Sequence, residues 1–306
     1  MDDRPVFDKT HTWAVNNLNA GSRTDHLWAW KWGQDTNGQW HALDRAFATD
    51  ADQDAALALL LASVVWKEPR YLVQARAALA DLWNLGTISL NSKRYLLAGD
   101  SSCQASVCRM NPSYYSPYAY RVFQKFDPSH NWPELIESSY AVLNAVSRLT
   151  ATHLPPDWVG LNTRTGAIAL LNPADSVFSY DAFRTCWRVA LDYDLNRETR
   201  AGAYLNFALA WFDSEWNHRG SIAAVISSNG KPEVEYQSYE MLAGVMPALR
   251  FVDASAAARI ERKLASIYTR GIWGERDSYY LQNWAWFGTA LYQGYLGPLK
   301  NPQPRS

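Results

Sequence analysis

The chain has 306 residues, of which 48% are hydrophobic and 19% charged, with a formal net charge of −1 and an isoelectric point of about 6.6. That length supports one large domain or two small ones, and the near-neutral balance argues against nucleic acid or an anionic membrane as partner. No apolar run is long enough to span a bilayer, and Met1-Asp2-Asp3-Arg4-Pro5 has neither the basic nor the apolar part of a signal peptide. Apolar periodicity is helical almost throughout and predicts helices over 5–18, 52–66, 70–84, 116–126, 133–150, 181–195, 197–216, 236–250, 254–269 and 278–293. Thr49 or Asp50 is positioned to cap the second helix, Pro133 falls in a first turn, and Asp253 or Ser255 precedes the ninth. Long connections cover 86–115, 151–180 and 217–235. In the first, alternating Ile88, Leu90, Tyr95 and Leu97 predict a short hairpin. No Gly/Ser linker or charge block divides the chain, so one all-α domain over 1–306 is the simplest reading. The 20–50-residue signatures of tetratricopeptide or ankyrin arrays are not visible.

Aromatic residues stand out, with 15 Trp and 17 Tyr against 10 Phe. Most fit a bulky helical core. The run Trp28, Trp30, Trp32, Trp40 also suits the wall of a sugar cleft, because an indole matches both the apolar face and the polar rim of a pyranose. Three cysteines make no disulfide framework. Cys103 and Cys108 share one loop and are close enough to pair in an oxidising compartment, whereas Cys186 lies within a helix and is expected to be buried. No second Cys pair or His cluster completes a zinc site.

Two carboxylate clusters carry the chemistry. Asp50, Asp52 and Asp54 lead into an Ala/Leu-rich helix. A calcium loop is excluded, since its sixth position is Ala55 rather than Gly and its twelfth is Leu61 rather than Glu. Asp54 fits helix capping and favourable charge at the positive helix end. Three acids exceed what a cap needs, and Asp50 at the helix mouth can hold sugar hydroxyls. Asp181 has Arg184 one turn later and Tyr180 beside it. An ionised Asp oriented by Arg suits a base that takes a proton from water.

Together these segments resemble glycoside hydrolase family 8. They are Ala48-Thr49-Asp50-Ala51-Asp52-x-Asp54, Asn111-Pro112-Ser113-Tyr114-Tyr115-Ser116-Pro117-Tyr118, Tyr180-Asp181-Ala182-x-Arg184-x-x-Trp187-Arg188 and Leu27-Trp28-Ala29-Trp30. They occur in family order and cover about residues 1–295. The resemblance implies an (α/α)6 barrel with a groove across one end, no cofactor and no metal, and inverting, endo-acting hydrolysis of a β-1,4-linked glycan. It assigns Asp181 as general base, Asp50 to the sugar at the cleavage subsite, Arg184 to orienting the base and Trp30 to stacking on a ring. Tyr114 or Tyr115 lines the cleavage subsite, with Tyr180 alongside. Cellulose, mixed-linkage β-glucan, chitosan and xylan are all used within the family, and β-1,4-glucan is favoured here. A monomer in a secreted or periplasmic location is the family expectation.

One departure matters. The family's general acid is a Glu in a Glu-Gly-x-x-Tyr-type box upstream of the Trp segment, and this sequence has no Glu before Glu68. About ten of the expected twelve helices are counted. The expectation is therefore a barrel incomplete at its N-terminal side, less stable or self-associating, and possessing the base without the acid. Asp2, Asp3, Asp8, Glu134 and Glu137 offer no spacing that nominates a replacement. A glycan-binding barrel without catalysis, and another all-α enzyme such as a polysaccharide lyase, are the alternatives. A terpene cyclase fits poorly, since it needs a better Asp-rich metal motif and clustered basic residues.

Overall fold

The computed structural model describes residues 3–100, 102–300 and 302–303. Ten α-helices occupy the positions that periodicity predicts: α1 (Arg4–Ala14), α2 (Thr49–Val65), α3 (Pro69–Leu85), α4 (Pro117–Phe126), α5 (Pro133–Ser147), α6 (Phe183–Asn196), α7 (Thr199–Arg219), α8 (Tyr239–Leu249), α9 (Ala254–Ser266) and α10 (Tyr279–Tyr292). Helices α2, α4, α6, α8 and α10 pack side by side as an inner row, and α3, α5, α7 and α9 each back the inner helix that precedes them. Helix α1 joins the outer layer, where Phe7 meets the rings of Trp66 and Tyr71 edge-on at 5.0 and 5.4 Å. Alternating inner and outer helices follow the (α/α)6 barrel architecture, with ten of its twelve helices among the described residues. One buried apolar cluster runs from Leu27 to Leu291. No described helix is long and apolar enough to cross a membrane.

The inner row is tight because small residues let backbones approach. A Cβ on Gly288 of α10 would sit 2.1 Å from the carbonyl oxygen of Ala243 in α8, so only glycine fits there. Capping is mixed. Asp253 accepts from the amides of Ser255 and Ala256, as expected. Helix α2 departs from expectation: Ala48 is its N-cap residue and no side chain caps it. Thr49 instead donates through Oγ1 to Leu97 O at 2.7 Å, and its amide bonds Ala98 O at 3.0 Å. A Cβ at Gly99 would lie 2.0 Å from Phe47 O, so this close backbone approach also requires glycine. The mouth of α2, and Asp50 with it, is thus tied to the segment 97–99.

Among the described residues, ten short strands fill the connections. Strands β1 (Lys31–Gln34) and β2 (Trp40–Asp44) pair, as do β3 (Thr87–Leu90) and β4 (Lys93–Leu96), which form the predicted hairpin. Strands β5 (Cys103–Gln104), β6 (Val107–Met110), β7 (Val159–Asn162) and β8 (Ile168–Leu170) make an antiparallel sheet that periodicity did not indicate. The last pair is β9 (Tyr268–Thr269) with β10 (Ile272–Trp273). Cys103 stands opposite Cys108 across the β5–β6 hairpin and the two are disulfide-bonded. Cys186 is a buried free thiol, whose ionisation burial pushes up to about 12.

Candidate active site

The N-termini of α2 and α6 meet at one end of the barrel. Arg184, in the first turn of α6, extends its guanidinium between two carboxylates. Its Nη1 donates to Asp50 Oδ2 at 2.8 Å, its Nη2 donates to Asp181 Oδ1, and its Nε donates to the Asp181 carbonyl at 3.2 Å. One planar cation therefore fixes two acids that lie 131 positions apart in the sequence (181 − 50). Burial pushes the Asp50 carboxyl above its ordinary range, opposed by Arg184 and then Arg188. Burial would lower Arg184, but Asp50 and Asp181 outweigh it and hold the guanidinium firmly charged.

Beside this cluster lies an open cleft of about 780 Å³, lined by Trp30, Asp44, Asp100, Arg109, Tyr114, Trp158 and Asp175 among others. Two of these residues join the cleft to the carboxylates. The Tyr114 ring lies 5.3 Å beneath the Arg184 guanidinium. Trp158 donates its indole N–H to Asp181 Oδ2 at 3.1 Å. Trp30 is 54% exposed at the far wall. It is held there because Ala29 N bonds Leu18 O at 2.8 Å and Trp30 N bonds Ala46 O at 2.8 Å.

Burial separates the two tyrosines. Tyr114 borders the cleft, whereas Tyr115 is 1% exposed and its hydroxyl accepts the Leu96 amide at 3.2 Å. Tyr115 therefore belongs to the core, and its expected place in a sugar subsite is corrected. After the single-turn 3-10 helix Pro112–Tyr114, the chain turns the next side chain inward. Tyr180 is half-exposed next to Tyr236, and its carbonyl accepts the Tyr280 hydroxyl at 2.7 Å.

The remaining acids of the first cluster have structural partners. Asp52 is buried and accepts the Trp28 amide at 2.9 Å, fastening the Trp segment onto α2. Asp54 is not a cap. It lies one turn inside α2 and is gripped by Arg188. Sequence reasoning missed Asp157, Trp158, Arg109 and Asp175, all of which sit in or beside the β5–β8 sheet. The only local signal was a Trp following Pro155-Pro156-Asp157. Among the described residues, no group of three or more His, Cys, Asp or Glu side chains is arranged to hold a metal ion.

A profile described as glycosyl hydrolases family 8 matches residues 1–280. The chain belongs to that family. Similar proteins include an endoglucanase of Salmonella typhi, 34% identical over 185 residues, which make up 60% of this chain and 48% of that protein. An endoglucanase of Escherichia coli K12 is 30% identical over 268 residues, covering 84% of this chain and 68% of that one. This family 8 chain thus spans about half the length of the Salmonella typhi relative and of a Pseudomonas fluorescens one, each 48% covered. In fold it is similar to the endo-1,4-D-glucanase of Vibrio fischeri ES114, with a TM-score of 0.81, 24% identity and coverage of 95% of this chain and 83% of that one.

Proposed function

We propose that this chain acts in inverting, endo-type hydrolysis of β-1,4-linked glucan. The carrying observation is the Arg184 bridge, which holds Asp50 and Asp181 together at the edge of an aromatic cleft. In this reading Asp181 takes a proton from a water, whose oxygen attacks the anomeric carbon as the bond to the leaving oxygen breaks. That leaving oxygen takes its proton from solvent water, since the other carboxylates lining the cleft are engaged as hydrogen-bond acceptors, and configuration inverts. Asp50 holds a hydroxyl of the sugar under attack. Arg184 orients both carboxylates, Trp30 stacks on a neighbouring ring, and Tyr114 and Tyr180 line the path. The relatives' names, endoglucanase in each case quoted, support a β-glucan. The Cys103–Cys108 disulfide accords with an extracytoplasmic location, where such bonds persist.

A second reading, glycan binding without cleavage, is favoured by one observation. The other carboxylates lining the cleft are already committed. Asp44 accepts from Ala46 N, which with the Trp30 indole holds it below its ordinary range, Asp100 accepts from Arg23 and Phe47 N, and Asp175 accepts from Arg109 and Asn172. Each is engaged as a hydrogen-bond acceptor rather than free to face a leaving group.

Release of reducing ends from carboxymethyl cellulose and mixed-linkage glucan, by this chain and by Asp181→Asn, separates the two readings. Hydrolysis predicts release that disappears in the variant, and a first-formed product of α configuration. Binding alone predicts no release from either protein, with oligosaccharide affinity that survives the substitution.

A further inference from the structure

The β5–β8 sheet, which has no evident role in a helical barrel, delivers two consecutive residues to the putting-in-place of Asp181. Asp157 and Trp158 immediately precede β7. Asp157 is 7% exposed, and its carboxylate takes three donors from the turn that carries Asp181. Ser179 N donates to Oδ1 at 3.1 Å, Ala182 N donates to Oδ1 at 2.7 Å, and the Ser179 hydroxyl donates to Oδ2. The Asp157 amide in turn bonds Val177 O at 2.7 Å, in the segment that leads into that turn. Donors on both sides of Asp181 thus converge on one buried carboxylate.

Trp158 acts on the side chain itself. Its indole N–H donates to Asp181 Oδ2 while Arg184 occupies Oδ1. Each carboxylate oxygen has a second lone-pair direction, so a water can still be accepted. The indole is clamped in turn. Arg109 lies over its ring at 4.5 Å, Tyr114 meets it edge-on at 5.9 Å, and its amide bonds Asp175 O at 2.9 Å. Arg109 follows Cys108 directly, so the disulfide-closed hairpin holds the clamp.

We infer that Asp157 and Trp158 are positioning residues for Asp181: Asp157 fixes the backbone of its turn, and Trp158 fixes the direction of its carboxylate. This rests on the reading of Asp181 as general base. A displacement of about 1 Å at such a group is of the order that costs 10²-fold in rate.

The test has two arms. In the first, kcat and KM on mixed-linkage glucan are compared for the wild type, Asp157→Asn and Trp158→Phe. We expect kcat to fall by about 10²-fold in each, with KM changed by less than about threefold, since Asp157 does not line the cleft and Trp158→Phe keeps an aromatic face in the cleft wall. In the second, the Trp158 indole N–H resonance is assigned by its absence in Trp158→Phe, and then followed in Asp181→Asn and Asp157→Asn. It should move in both, because the acceptor changes in one and its backbone shifts in the other. A resonance indifferent to Asp181→Asn, or full kcat in a folded Trp158→Phe, overturns the inference. If the wild type releases no sugar, the hydrolysis reading fails, while the resonance still decides the positioning. Trp158→Phe keeps the question answerable should Asp157→Asn not fold.

Discussion

Asp54 and Arg188 form a second rung one helical turn along α2 and α6 from the Asp50–Arg184 pair. Arg188 Nη1 and Nη2 donate to the two Asp54 carboxylate oxygens at 2.9 and 2.8 Å, and Nη1 also meets Ser116 Oγ and Tyr118 Oη. The Asp54 side chain is 52% exposed and that of Arg188 only 6%. The two single deletions should therefore differ. Asp54→Ala leaves a buried cation without its hydrogen-bonded anion and with only Asp50 nearby, a loss approaching the ~3–5 kcal/mol of a broken buried pair. Arg188→Met leaves a carboxylate that water can reach, and its cost is the lost donors to Ser116 and Tyr118, about 1–2 kcal/mol. Urea unfolding of both variants checks the order. Equal losses would mean that solvent, rather than Asp54, balances Arg188.

Arg184→Lys tests whether the fork or merely the charge matters. Lysine is a point charge and cannot grip Asp50 and Asp181 together. We expect the rate on β-glucan to fall by about 10²-fold as the two carboxylates lose their common reference. Stability should fall by less than the ~3–5 kcal/mol of deleting the charge, because a cation still faces Asp50. Initial rates and urea melts on the same preparation give both numbers. Unchanged rates would show that the bridge is dispensable.

The helices were legible because each buries one face at a helical period, and ten such faces appear in the sequence. Local alternation likewise revealed the β3–β4 hairpin, whose two strands are adjacent in sequence. The β5–β8 sheet was not legible. Its strands have two to four residues, and β6 finds β7 only across the whole of α4 and α5. The same non-locality hid half of the site. Asp181 and Arg184 announce each other at helical spacing, but Asp157 lies 24 positions ahead of Asp181 (181 − 157) in a loop with no period. Asp54 was misread as a cap because its partner Arg188 is on another helix. Tyr114 and Tyr115 were indistinguishable as neighbours, since only the backbone turn after Tyr114 decides which side chain meets solvent.

That turn makes the tyrosine pair a clean comparison. Tyr115→Phe removes the acceptor for the buried Leu96 amide and should cost about 1–3 kcal/mol of stability without altering oligosaccharide affinity. Tyr114→Ala, or Trp30→Ala at the exposed wall, should leave stability within about 0.5 kcal/mol to 2 kcal/mol of the parent. Either should weaken cello-oligosaccharide binding by about tenfold, equivalent to ~1.4 kcal/mol. Thermal melts and titration calorimetry separate the two effects. Sugar affinity lost in Tyr115→Phe but kept in Tyr114→Ala would reverse the assignment.

Asp157 gives the fold a pH dependence whose sign is opposite to that of an ordinary paired carboxylate. Burial is the largest influence and pushes its ionisation up to about 6, from an ordinary 3.8, against the opposing hydrogen bonds from Ser179 and Ala182. The folded state therefore keeps a proton that the unfolded chain releases between these two values. Stability from this residue is full below about pH 4 and declines as pH rises through 6, by up to about 3 kcal/mol in all. Asp50 and Asp52 are raised by burial as well, so the wild-type curve alone does not isolate it. The difference between the wild type and Asp157→Asn does. We expect urea unfolding at pH 4, 5, 6 and 7 to show the wild type's advantage over Asp157→Asn shrinking steadily across that window, and then holding constant above it. A gap that widened with pH would mean that the carboxylate is stabilised by ionising where it stands. Its donors from Ser179 and Ala182 would then outweigh the burial that raises it.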